Sequence, residues 1–322
     1  MVMKPIKIGP FLGVNNLLPD TQLRTKLGDW LRSAVNVDLT AAGTIKRRAG
    51  FELAQAGGAC HSLWSDDGPF GYYADGSALY RVRVGPAGLS RELVRDDLEP
   101  GPRLSYARVR DWIYYSNGID RGILRDGSAS SDWGVLPDFT NPGSPAYRWR
   151  PMPAGTIVRH HKGRLLVARG SVLYVSEPWA PNVYAPARGY IAFAAAITLV
   201  VVFDTGIFVC ADRTYWMPGD LTEGMTTVLP HGAIAGSDSY ADDANAAIWA
   251  SPRGLVRGTP DGAAVNLQDK TVATGSGASG ATLLREFDGM TKAVAAVSGV
   301  EQSAAAARSY MDAEIVRKGV TL

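Results

Sequence analysis

The feature that most limits what this chain can fold into is a short hairpin pattern that recurs along it. Residues 159–219 show it most clearly. RHHKGRLLVARGSVLYVSEP is followed by a loop and then by AAITLVVVFDTGIFVCADRTYWMPG. In each, an apolar β-branched run meets a two-residue turn, Lys162-Gly163 or Thr205-Gly206, and a second apolar run follows. Glycine supplies the positive φ that a tight hairpin turn requires, and Val, Ile, Phe and Tyr suit a pleated surface.

The same pattern places turn glycines at Gly76, Gly118, Gly163, Gly206, Gly254 and Gly289, at separations of 42, 45, 43, 48 and 35 residues. A period of 40–45 residues made of short strands is the span of one four-stranded propeller blade. The expected fold is therefore all-β, a β-propeller of five or six blades, with a pair of β-sandwiches as the fallback. The expected organisation is an extended N-terminal arm over 1–35, the propeller over 36–298 and a C-terminal helix over 299–322.

The arm is punctuated by Gly9-Pro10, Gly13, Asn15-Asn16 and Pro19-Asp20, too often for a long regular element. One short helix is expected over 25–35. Phe11, Leu12, Leu17 and Leu18 would be left for docking on a neighbour or on the arm's own domain. Val and Thr runs on either side of Ala42-Gly43 predict another hairpin, followed by Lys46, Arg47 and Arg48. These three read either as a solvated edge that blocks stray strand pairing or as a phosphate-facing cluster. Residues 134–153 hold five prolines and cannot form a central strand. A second proline-framed loop, 177–188, presents Trp179 and Tyr184 as candidate protein-binding tips. In residues 300–318, alanines and a terminal Arg-Lys pair predict the last helix, with Tyr310 and Ile315 on a weak apolar stripe.

Composition narrows the function. At 46% hydrophobic and 20% charged the chain is globular, and its net charge of +2 lacks the basic excess of a dedicated DNA binder. Cys60 and Cys210 make neither a disulfide framework nor a metal site. No signal peptide is expected from MVMKPIKIGPFLGV, and the longest apolar run, 190–203, is too short to span a bilayer. His160 and His161 are adjacent in a strand and point to opposite faces, so they cannot chelate one ion. Asp66-Asp67, Asp96-Asp97 and Asp242-Asp243 sit in turn-like sequence, where Asp accepts backbone hydrogen bonds. No Walker loop, GxSxG elbow, HExxH or CxxC is present. Neither a cofactor, a metal nor catalysis is expected.

The opening of the chain resembles a known group. Phe11-Leu12-Gly13-Val14-Asn15-Asn16, Pro19-Asp20, Ala34-Val35-Asn36-Val37-Asp38-Leu39, Gly43 and Lys46-Arg47-Arg48-Ala49-Gly50-Phe51 are similar to the start of tailed-bacteriophage tail-hub or nozzle proteins, some described as packaged-DNA stabilisation proteins. Residues 161–177, 204–219 and 248–258 look like blade hairpins of that group. Nozzle proteins are usually longer, with extra domains between blades. The resemblance implies a non-enzymatic virion protein of the tail, assembled in the host cytoplasm without a membrane anchor. It also implies a ring of copies, contacts with other tail or head–tail proteins, and unspecific contact with DNA in transit through Lys46, Arg47 and Arg48. The alternatives are a receptor- or glycan-binding propeller at a tail tip or baseplate, and a propeller glycosidase.

Overall fold

A computed structural model of the chain describes residues 9–34, 37–40, 42–47, 53, 56–65, 70–86, 88–125, 130–134, 149–241, 245–272, 277, 279–287 and 290–298. Among them the structure is all-β, with one 3-10 turn, Asp20–Gln22. The chain divides into two compact units. The central unit is Phe51–Asp204, and the split unit joins Met1–Gly50 to Thr205–Leu322.

Three antiparallel sheets follow one another in the central unit. The first pairs Cys60–Ser65, Gly71–Asp75, Ala78–Gly85 and Gly88–Arg95 in chain order. The second pairs Ser105–Val109, Trp112–Ser116 and Arg121–Arg125, and the third pairs Ile157–His161, Arg164–Arg169, Val172–Val175 and Tyr190–Ala192. The second sheet explains why the sequence reads as apolar runs rather than as a clean alternation. Side chains alternate faces along a strand, and both of its faces are covered. Tyr106, Ile113, Tyr115 and Leu124 pack with Tyr72, Ala74 and Leu79 of the first sheet. Their neighbours Ala107, Tyr114 and Ile123 pack the other way, with Val158, Leu165 and Val167 of the third. Each fully buried Ile, Leu or Val among them contributes about 1.5–3 kcal/mol.

Hydroxyls stitch the same sheets together. Leu104 donates its N–H to Ser62 Oγ at 2.8 Å, and Val158 donates to Ser105 Oγ at 3.0 Å. The Arg159 guanidinium reaches both Ser105 Oγ and the Val200 carbonyl, each at 3.0 Å. Val200 lies in Leu199–Phe203, the most apolar strand, which is almost wholly buried. The long apolar run is thus two strands, Tyr190–Ala192 and Leu199–Phe203, and among the described residues no helix is long and apolar enough to cross a membrane.

In the split unit, Gly206–Cys210, Thr214–Pro218 and Thr226–Leu229 pair in order, as do Asp238–Ala241, Ala246–Ser251, Gly254–Gly258 and Ala264–Asn266. Phe208 joins them, its ring 4.6 Å from Trp216 and 5.5 Å from Trp249. The hairpin of Ser279–Phe287 and Met290–Ser298 lays Ala293 and Ala295 against Ile248, Ala250 and Leu255. Its turn, with Gly289, lies outside the described residues.

Several turns fall where the sequence puts them. Lys162 and Gly163 have φ of 45° and 76°, the two left-handed residues of a type I′ turn. Gly43 and Gly76 are also left-handed. Gly206 and Gly254 are different: each is the first residue of a strand, and the turns lie one step earlier, at Asp204-Thr205 and Pro252-Arg253. The regular spacing also mixes unlike turns. Gly76 and Gly118 join second to third strands, whereas Gly163 joins a first to a second. The turn that matches Gly118 in the third sheet is at Gly170, because the proline-rich connection lengthens that repeat.

The helix expected over 25–35 is absent from its described part. Arg24–Thr25 and Gly28–Leu31 form a hairpin beside Phe11–Val14. Thr25 Oγ1 accepts the N–H groups of Leu27 and Gly28 and donates to the Gly28 carbonyl, so the side chain closes a tight turn where a helix would have continued. Gly28 is left-handed at φ 149°, with the Pro10 carbonyl in the space of its missing Cβ. The C-terminal helix expectation, with Tyr310 and Ile315, lies outside the described residues, as does Arg48.

Candidate functional site

The first part of the segment that carries the resemblance, residues 11–20, builds a small structural knot. Asn15 is buried, its Oδ1 accepts the N–H groups of Leu17 and Leu18, and its own N–H donates to Leu31. Arg32 closes the loop from outside through Asp20, at 2.6 Å, and the carbonyls of Asn16 and Leu18. Asn16 donates to the Thr271 carbonyl, tying this segment to the rest of the split unit. Phe11, Leu12 and Leu18 are half-buried, while Leu17 is 50% exposed and Leu27 83%.

Lys46 and Arg47 lie exposed on Ile45–Arg47, with Lys46 opposite the buried Asp38. Two basic residues on opposite faces of a short strand make a small charged spot, not a stripe.

The loop between the third and fourth strands of the third sheet is the most built surface feature. Trp179 is 69% exposed yet fixed: its φ is 60°, its N–H donates to the Gly163 carbonyl at 2.8 Å, and its ring lies 3.1 Å from where a Gly163 Cβ would stand. The Arg110 guanidinium sits 5.0 Å from the ring centroid. Tyr184 is not the free tip that its proline frame suggests. It lies in Val183–Tyr184, paired with Arg150–Pro151, and its ring meets Tyr174 edge-on at 5.1 Å. The buried Tyr114 hydroxyl, pushed up to about 12 by desolvation and so kept neutral, donates to Asn182 Oδ1, and Asn182 Nδ2 donates to the Trp133 carbonyl. These bonds hold the loop on the second sheet.

Beside it, Val172, Tyr174, Tyr184, Pro186 and Tyr190 line an open cavity of about 260 Å³. Tyr184 alone of these stands out in the sequence. Tyr174 and Tyr190 come together only because Val172–Val175 pairs with Tyr190–Ala192 across a 14-residue loop, and no local pattern encodes that pairing.

The chemically reactive groups stay apart. Cys210 is fully buried, with its thiol pushed up to about 12 by desolvation, so it is an unreactive core residue. Cys60 is exposed and free. His161 is buried and His160 half-buried. Arg95 hydrogen-bonds Asp97 and holds that carboxyl below its usual range. Asp66-Asp67 and Asp242-Asp243 lie outside the described residues. Among those described, no three His, Cys, Asp or Glu side chains gather where they could hold a metal ion.

No family model matches the chain, and no curated protein matches its sequence. Solved structures with a similar course of the chain include the WD40 β-propeller domain of Doa1, at TM-score 0.49 and 8% identity over 76% of this chain and 81% of that one. The extracellular domain of BT4673 from B. thetaiotaomicron is similar at TM-score 0.48 and 7% identity, over 74% of this chain and 32% of that one. The AfRom2 CNH domain gives TM-score 0.45 and 11% identity, over 74% and 82%.

Proposed function

We propose that this chain is a non-enzymatic structural subunit of a tailed-bacteriophage virion, a β-propeller of five or six blades that joins neighbouring tail or head–tail proteins. The observation that carries the proposal is the use made of the opening box. Asn15 and its neighbours in the opening box are spent on shaping a loop that leaves Leu17 exposed, and the Thr25 turn of the same arm leaves Leu27 exposed. A rigid loop with outward leucines docks at low entropic cost. The sheet-on-sheet stacking of the central unit, with both faces of the second sheet buried, supports the propeller. Copies of the chain form a ring in this proposal. Lys46, Arg47 and Arg48 then offer passing DNA only weak, salt-sensitive attraction.

Incorporation into particles tests the assembly role. Deleting residues 1–35, or replacing Leu17 and Leu27 with Asp in the full chain, should abolish incorporation, and the double variant should keep the parent's unfolding midpoint. Normal incorporation of both variants would end the docking role. A second reading, a receptor- or glycan-binding propeller at a tail tip or baseplate, is favoured by the pinned, exposed Trp179 and by the tyrosine-lined cavity.

A further inference from the structure

The tyrosine-lined cavity lies wholly within the central unit, and its chemistry is specific. Val172 and Tyr174 sit at alternate positions of one strand, and Tyr190 stands directly opposite Tyr174 on the next, so all three share a face. Tyr184, edge-on to Tyr174, and Pro186 complete the wall. At about 260 Å³ the space falls below the roughly 300–1,000 Å³ of sites for drug-sized ligands, so it takes about one ring. No lining side chain carries charge, and aromatic faces with phenol hydroxyls suit a ring that is apolar on its flat and hydroxylated at its edge.

The rim adds the second element. Arg169 is paired directly with Val172, and Arg150 with Tyr184, so each arginine projects on the same face as a wall residue. Both are exposed, and among the described residues neither has an ion-pair partner. Arg188 is different, since it is committed to Glu177 at 2.9 Å. Two guanidinium groups without an ion-pair partner, each opposite a wall residue in the strand pairing, complement a carboxylate on the ring's edge.

We propose that this cavity binds a carboxylated monosaccharide unit, a uronic- or sialic-type sugar, with its ring against Tyr174, Tyr184 and Tyr190 and its carboxylate on Arg150 and Arg169. The proposal rests on the second, glycan-binding reading and gives that reading a site. A proline-rich peptide would need a longer groove with alternating pockets.

Titration of the full chain with D-glucuronate, D-glucose and an acidic proline-rich peptide, followed by calorimetry and by saturation-transfer NMR, decides it. Glucuronate should bind with a dissociation constant of about 1 mM, as expected of a single small ring. Glucose should bind about ten-fold more weakly, the factor that one charge-assisted contact supplies. Arg150→Gln with Arg169→Gln should bring glucuronate down to the level of glucose. Tyr190→Ala, at a half-exposed position, should remove both while leaving the unfolding midpoint unchanged. Equal binding of the two sugars, or indifference to the arginine pair, would overturn the carboxylate claim while leaving a glycan site. Peptide binding without glucuronate binding, or no binding of either sugar, would overturn the sugar site, while the glycan-binding reading, which also rests on Trp179, would fall only if the chain bound no host glycan at all.

Discussion

Gly163 and Gly206 occupy matching places in the sequence, each after a polar residue between two apolar runs, and the structure uses them for opposite reasons. Gly163 is there for its backbone. It and Lys162 are left-handed, and the hairpin His161–Arg164 closes through them. Gly206 is outside the left-handed region and is there for its missing side chain. A Cβ would stand 2.4 Å from the Met217 carbonyl oxygen and 2.7 Å from the Trp216 ring. One glycine permits a turn; the other permits a close approach. A sequence reader sees the same letter in the same context, because what crowds Gly206 comes from residues ten or more positions away.

Substitution by alanine separates the two. The largest loss belongs to Gly206→Ala, because the obstructing atom is backbone and cannot swing aside, and overpacking then costs about 3 kcal/mol. Gly258→Ala should behave alike, since its Cβ would press on Trp249 and Phe208 at 2.6–2.8 Å. Denaturant unfolding measures both, and a loss below about 1 kcal/mol at Gly206 would remove the distinction from Gly163.

At Gly163 the cost is a left-handed alanine, about 1–2 kcal/mol, with an added nudge to the Trp179 ring. Trp179 is exposed and can yield, so the total should stay near 2 kcal/mol. Gly76→Ala isolates the backbone part: φ is 62° and nothing lies within 4 Å of the added carbon. It should lose about 1 kcal/mol. Equal losses at Gly163 and Gly76 would mean that the contact with Trp179 contributes nothing to holding the loop.

The same contrast marks how far the sequence can be read. The β class, the turns at Ala42-Gly43, Gly76 and Lys162-Gly163, and the buried run Leu199–Phe203 are local facts, set by φ preferences and by period. The hairpin at Thr25 escaped because TKLGDWL has helical spacing, and a single threonine hydroxyl outweighs it. The even spacing of glycines was a coincidence of unlike turns, since an insertion before the third sheet was offset by a shift from one hairpin to the next. Of the surface, Trp179 was legible as an exposed aromatic between prolines. The cavity was not, because Tyr174, Tyr190, Arg150 and Arg169 meet only through strand pairing.

The smallest effect expected is electrostatic, and it belongs to the Gly163 hairpin alone. His160 is half-buried, its Nε2 has no hydrogen-bond partner, and desolvation, with the neighbouring His161 adding to it, pushes its pKa below the usual 6.5. A base whose folded pKa is depressed is protonated more readily when unfolded. Above about pH 6.5 both states are neutral and the group is silent. As pH falls through that value the unfolded chain binds the proton first, so stability falls with it, until the folded pKa is reached and the loss levels off. Unfolding midpoints compared between pH 7.5 and pH 5 should therefore drop more in the wild type than in His160→Leu, whose side chain cannot titrate. The difference between the two curves is the informative quantity, because carboxylates shift both alike. Parallel curves would show that His160 gains its proton as easily folded as unfolded, and the hairpin would then differ from its counterpart in turn geometry only.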